Sequence, residues 1–221
     1  MTIPHAQPYQ KCRINLLKSD EFLDQTDPGM DISFLNKYDK LIMELGCGDG
    51  RLLYRLANKD MRSNTFYLGI ELDVSQYRKC CLLLSSKKEN LLFVNCPFED
   101  AINELPDYTV DEILSILPHP KYIDRENEQY WKPIYRTILC KIKRKGHLLL
   151  VTEFTDELFS PVIYDEYKNW KEWIIGTFTG LGYCVGNIIE GIPANYTSHY
   201  LDLFSNDQQR IKILTLYLTK N

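Results

Sequence analysis

The chain lacks an apolar run of the roughly 18 residues that a membrane-crossing helix requires. Its start, MTIPHAQPYQKCR, has no apolar core behind a basic segment, so no secretory signal is expected. The seven cysteines are odd in number and irregularly spaced, which excludes a disulfide framework and points to a reducing, cytoplasmic setting. Adjacent Cys80-Cys81 has neither a C-x-x-C partner nor a histidine cluster, so no metal is expected. A basic excess is missing too: 26 Lys+Arg against 30 Asp+Glu leave a net charge of −4, and nucleic acid could be met only through a local patch. There is no repeat or low-complexity tract. With 44% hydrophobic and 25% charged residues, disorder, collagen and coiled coil drop out. At 221 residues the chain suits one sizeable domain and is short for two.

What is present is an alternation of periods. Residues 1–38 are polar, broken by Pro4, Pro8, Pro28 and Gly29, and read as an N-terminal arm before a domain over 39–221. Strands are expected over 40–45, 66–70, 91–94, 112–117, 147–151, 183–189 and 211–218. Helices are expected over 51–58, 74–87, 100–105, 126–143 and 161–181. Strands alternating with helices mean βαβ units: an α/β, Rossmann-like doubly wound fold with a mostly parallel seven-stranded sheet. No helical pattern separates the final two strands, which predicts a C-terminal antiparallel hairpin.

Glu44-Leu45-Gly46-Cys47-Gly48-Asp49-Gly50 sits between the first strand and its helix. Gly46 and Gly48 permit a sharp turn and close approach of a ligand to the backbone, and Gly50 lets the helix start pack on the sheet. The spacing is G-x-G-x-G, neither the dinucleotide G-x-G-x-x-G nor a P-loop, so a pyrophosphate or triphosphate is poorly served. Carboxylates at Glu44 and Asp49 repel phosphate and attract an ammonium or sulfonium group. Glu71, after the second strand, stands where a carboxylate takes both hydroxyls of a ribose. S-adenosylmethionine carries all of these features.

MELGCGDGRLLYRLA and FYLGIELD resemble the class I S-adenosylmethionine-dependent methyltransferases. The stretch LSILPHPKYIDRENEQYWKPIYRTILCKIKRKGHLLLVTEFTDE is similar to the corresponding region of tRNA (guanine-N7)-methyltransferases. That resemblance implies a cofactor site of Glu44, Gly46, Cys47, Gly48, Asp49, Gly50, Glu71, Leu72, Phe98, Glu99 and Leu117. It implies an acceptor side of Pro118, Pro120, Lys121, Tyr122 and Thr197, with His119 as the catalytic candidate and RNA as partner. His119 stands where that family has Asp, Lys121 where it has Trp, and Ser198-His199-Tyr200 replaces a Lys-Phe-Glu motif. The ribosomal-RNA adenine-N1 methyltransferases share a similar cofactor half and a Ser-Ile-Leu strand before proline.

Guanine N7 has its lone pair free, so transfer to it needs position more than acid–base help. His119 is expected to hydrogen-bond a base edge or act as a modest general base. Tyr122, Tyr130 and Trp131 are candidates for stacking, against the plainer reading that they pack. Lys141 to Lys145 reads as a solvated turn before the fifth strand, with phosphate contact second. Three functions stay open: an RNA methyltransferase, a small-molecule methyltransferase favoured by the acidic balance, and a catalytically silent cofactor-binding subunit.

Overall fold

The computed structural model describes residues 35, 37–59, 64–84, 88–156, 158–194, 196 and 198–220. Most of the expected arm, and Thr197 of the expected acceptor side, lie outside the described residues. Strands β1 (Lys40–Leu45), β2 (Thr65–Glu71), β3 (Leu91–Asn95), β4 (Val110–Ile116), β5 (Ile142–Phe154), β6 (Tyr183–Ile189) and β7 (Lys212–Lys220) form one sheet in the order β3-β2-β1-β4-β5-β7-β6. The first five strands run parallel, and β7 runs antiparallel to both β5 and β6. Helices α1 (Arg51–Lys59), α2 (Val74–Leu83), α3 (Phe98–Glu104), α4 (Glu128–Lys141), α5 (Tyr164–Gly180) and α6 (His199–Ser205) connect them.

The sheet is covered on both faces, so its central strands read as apolar runs rather than as alternations. Every residue of β2, TFYLGIE, is buried. On one face Leu41, Met43, Leu45, Leu148 and Leu150 pack with Ile102 of α3, Trp131 and Ile138 of α4, and Ile174 and Phe178 of α5. On the other, Tyr67, Phe93, Leu114, Leu149 and Val151 pack with Leu52 and Leu53 of α1, Cys80 of α2 and Leu201 of α6. The chain steps outward from β1 to β3 and then crosses back to lay β4 on the other side of β1. That reversal opens a crevice at the carboxyl ends of β1 and β4, the place where open α/β sheets bind ligands.

The α/β expectation and the antiparallel pairing of the last two strands hold, with one correction. A helix, α6, lies between β6 and β7, capped by Ser198, whose hydroxyl accepts from Leu201 N at 3.3 Å. Among its described side chains only Leu201 is fully buried, so no apolar period marks it. Two further expectations change. Lys141 to Lys145 is not a plain turn: it spans the end of α4 and the irregular start of β5, at the end of the strands opposite the glycine turn. There Lys141 pairs with Asp107 at 2.9 Å and Lys143 with Asp111 at 2.7 Å. Trp131 is fully buried against Tyr135, Trp173 and Phe178, so the packing reading wins over the stacking one.

Candidate functional site

The glycine turn begins where β1 ends, with Gly46, Gly48 and Gly50 at φ of +69°, +56° and +74°. All three conformations lie in the left-handed region that side chains avoid. The turn is stitched down by Cys47 N donating to Ile70 O at 2.9 Å and Gly50 N to Cys47 O at 3.0 Å. A Cβ on Gly50 would stand 2.6 Å from the Phe93 ring and 2.9 Å from Cys80 Sγ, whereas at Gly46 and Gly48 it would meet open space. Close packing at the third glycine and open approach at the first two are what the spacing predicts.

Glu71 ties this turn to the next. Its Oε2 accepts from Gly48 N and its Oε1 from Asp73 N, each at 2.7 Å. Asp73 then caps α2, accepting from Ser75 N at 2.6 Å and Gln76 N at 3.1 Å. Two backbone donors fix the Glu71 carboxylate in place while leaving lone pairs on each oxygen for further donors.

Glu44 stands behind the turn, buried, and its Oε2 has no hydrogen-bond partner. Burial first, then the nearby Cys80, Asp49 and Glu71, push its carboxyl well above the usual carboxylate range. An orphaned acceptor in so negative a neighbourhood suits a cation nearby. Asp49 is engaged locally: it accepts from Arg51 N at 3.2 Å and pairs with the Arg51 guanidinium at 3.2 Å. The Cys47 thiol faces Cys80, and the Cys80 thiol donates to Gly48 O at 3.1 Å.

At the crevice lies a cavity of about 490 Å³. Gly46, Glu71 and Leu72 form one side, Phe98 and Glu99 a second, and Leu117, Pro118, His119, Lys121 and Tyr122 a third. These expected site residues meet at one place. Glu44, Cys47, Gly48, Asp49, Gly50 and Pro120 support the cavity without lining it. The structure adds Leu45, Ile70, Asp73, Cys96, Pro97, Ser115 and Ile116 to the lining. Those additions follow from the ends of β1 to β4, which no motif marks. A second hollow of about 420 Å³ between α4 and α5 is far from the turn, and its Glu128 is held by Lys132 and the Trp173 indole.

The acceptor-side turn is compact. Tyr122 N donates to His119 O and Ile123 N to Pro120 O, both at 2.9 Å. His119 Nδ1 accepts from Lys121 N at 3.2 Å, so the neutral ring carries its proton on Nε2 and presents a donor. Among the described residues no cluster of His, Cys, Asp and Glu could hold a metal ion, and no helix is long and apolar enough to cross a membrane.

No protein-family model matches the chain. It is 33% identical over 137 residues to an uncharacterized protein of Methanocaldococcus jannaschii, covering 61% of this chain and 50% of that one. A tRNA (guanine-N(7)-)-methyltransferase of Buchnera aphidicola is 29% identical over 154 residues, covering 66% and 60%. A 16S rRNA (adenine(1408)-N(1))-methyltransferase of Escherichia coli is 29% identical over 133 residues, covering 55% and 56%. The matches span between half and three fifths of the length of these relatives. Among solved structures, the 16S rRNA methyltransferase KamB aligns at a TM-score of 0.65 and 16% identity, over 88% of this chain and 96% of that one. The chain has the class I methyltransferase fold.

Proposed function

We propose that the protein is an S-adenosylmethionine-dependent methyltransferase acting on a purine ring nitrogen in RNA, guanine N7 before adenine N1. The observation that carries this reading is the fixed Glu71 carboxylate at the edge of a cavity bounded by an open glycine turn and by the His119 turn. Glu71 would hold the ribose hydroxyls, Leu72 and Phe98 the adenine, and Glu44 the neighbourhood of the amino-acid end. Bound there, the cofactor supplies an electrophilic methyl group on a sulfonium.

The remaining chemistry belongs to this chain's residues. His119 presents an N–H donor, and among the described cavity-lining residues it is the only histidine, so an acceptor that must first be deprotonated is poorly served. A ring nitrogen with a free lone pair is well served. The carbonyl oxygen beside guanine N7 matches the Nε2–H donor, while the amino group beside adenine N1 opposes it. His119, Pro120 and Lys121 are exposed, which suits a macromolecular acceptor better than an enclosed small one. The names of the Buchnera and Escherichia relatives support RNA as the substrate class and a tRNA- or rRNA-modifying role.

The test is calorimetric titration of S-adenosylmethionine, paired with transfer of labelled methyl into total RNA and nucleoside mapping. Binding with label in 7-methylguanosine is the expected result. Label in 1-methyladenosine would shift the acceptor to adenine. Binding with no label in any RNA would move the reading to a small acceptor or a silent subunit, and absence of binding would overturn it altogether.

A further inference from the structure

Two sides of the cavity are joined across it by a bond that neither side's chemistry requires. Tyr122 OH donates to Glu99 Oε1 at 2.6 Å, linking residues 23 positions apart. Glu99 lies in the first turn of α3, on the side assigned to adenine, and Tyr122 ends the short 3-10 turn Pro120–Tyr122 that carries the acceptor side. The Tyr122 ring also rests on Phe98 at a centroid distance of 4.7 Å, and Lys121 Nζ lies 4.5 Å from the Tyr122 ring centroid. Burial first, and then the Glu99 carboxylate, keep the phenol protonated well above its ordinary range, so it remains a donor.

The consequence runs through the backbone. Tyr122 N donates to His119 O, and Lys121 N donates to His119 Nδ1. Fixing the Tyr122 side chain therefore fixes the turn, and the turn orients the His119 imidazole. Without the tether the turn would be held by its two 3-10 bonds, the Tyr122–Phe98 ring contact and the buried Ile123 at its end. Residues 119–121 stay exposed, and exposed segments open more readily than buried ones. Phe98 and Glu99 are adjacent, so stacking and hydrogen bond grip Tyr122 at two points on one helix end.

We propose that Tyr122 is a positioning residue: through Glu99 it locks the acceptor-side turn 118–123 to α3, so that His119 is held in register with the cofactor side of the cavity. The proposal rests on the methyltransferase reading for its purpose, but the tether itself is a property of the free chain. A displacement of about 1 Å at a reacting centre lowers transfer by up to about a hundredfold, so a loosened turn is expected to slow the acceptor step.

The experiment uses the full chain, with Tyr122→Phe, Glu99→Ala and the double variant. Phe keeps the ring on Phe98 and loses only the hydrogen bond. Amide hydrogen exchange of 118–123, measured without any ligand, should rise about tenfold in Tyr122→Phe. Glu99→Ala should match it, and the double variant should add nothing, because both single changes remove the same bond. Unchanged exchange in Tyr122→Phe, or additive effects in the double variant, overturns the tether.

In the transfer assay Tyr122→Phe should lower kcat/KM for the acceptor about tenfold while the Kd for S-adenosylmethionine moves less than about threefold. Transfer at the parental rate overturns the positioning role while leaving the methyltransferase reading intact. A parent that shows the exchange pattern but moves no methyl to RNA overturns that reading and leaves the tether standing.

Discussion

At the first two glycines of the turn a Cβ would meet open space, and at the third it would strike the Phe93 ring. A side chain should therefore read out differently at the two ends of the turn. Gly50→Ala is expected to cost about 2–4 kcal/mol of stability, from overpacking and from strain at positive φ, seen as a lowered Tm. Gly48→Val should cost less stability, about 1–3 kcal/mol from strain, yet weaken S-adenosylmethionine binding in calorimetry by disturbing the Gly48 N–H that fixes the Glu71 carboxylate. If Gly48→Val bound the ligand as the parent does, the site assignment would fall. Glu44 allows a pH prediction. Its carboxyl is raised in the folded state, chiefly by burial, so the folded chain loses stability as pH rises above the ordinary value of 4.5 toward the folded pKa. Glu44→Gln should unfold at the parent's temperature near pH 4 and at a higher one at pH 7–8. The placement of these residues was legible because the glycine turn and Glu71 lie within a short stretch of sequence. The state of Glu44 was not, since it depends on Cys80 and on what α2 buries.

The helix α6 and the segment leading into it show how an element can be hidden from its own sequence. Ile192, Tyr196 and Leu201 pack on the face of the sheet near Leu149 and Ile213, and Tyr196 OH donates to Glu112 Oε1 at 2.7 Å across 84 residues. His147 Nε2 stands 3.4 Å from the same oxygen. A helix this short is held by such contacts, and with Leu201 the one fully buried side chain among those described it leaves no apolar period to read. Burial alone would raise the Glu112 carboxyl, but the hydrogen bonds from His147 and Tyr196 and the charge of Lys40 outweigh it and leave the group below its usual range. A depressed carboxylate stabilises the fold above its unfolded pKa and ceases to as pH falls through the folded one. Tyr196→Phe should therefore destabilise the chain by about 1–2 kcal/mol at pH 7. Denaturant titrations should show that difference shrinking below about pH 4.5. A constant difference down to pH 3 would mean that Glu112 is not the partner that matters. The helices α1, α4 and α5, by contrast, were legible, because each buries three or more residues along one face and leaves its period in the sequence.

On the scale of the whole molecule, the net charge of −4 and the ion-paired lysines near the start of β5 bear on how RNA would be held. Among the described residues, Lys121 is the one Lys or Arg that lines the cavity. With about two phosphates neutralised, raising salt from 50 to 200 mM should weaken RNA binding by less than about tenfold. A much steeper slope, measured by fluorescence anisotropy, would reveal a basic surface elsewhere on the chain. The strand order carries a consequence of a different kind. β7 is wedged between β5 and β6, and β6 joins the sheet only through it. In time, then, β6 has nothing to pair with until residues 212–220 arrive, although it is made before them. The half of the sheet around the cavity can assemble from β1 to β5 as they appear, whereas the far edge must wait for a late strand to be threaded between two earlier ones. Closing that gap joins contacts distant in sequence, the slow kind, so the far edge is where a folding chain would linger with open strand edges.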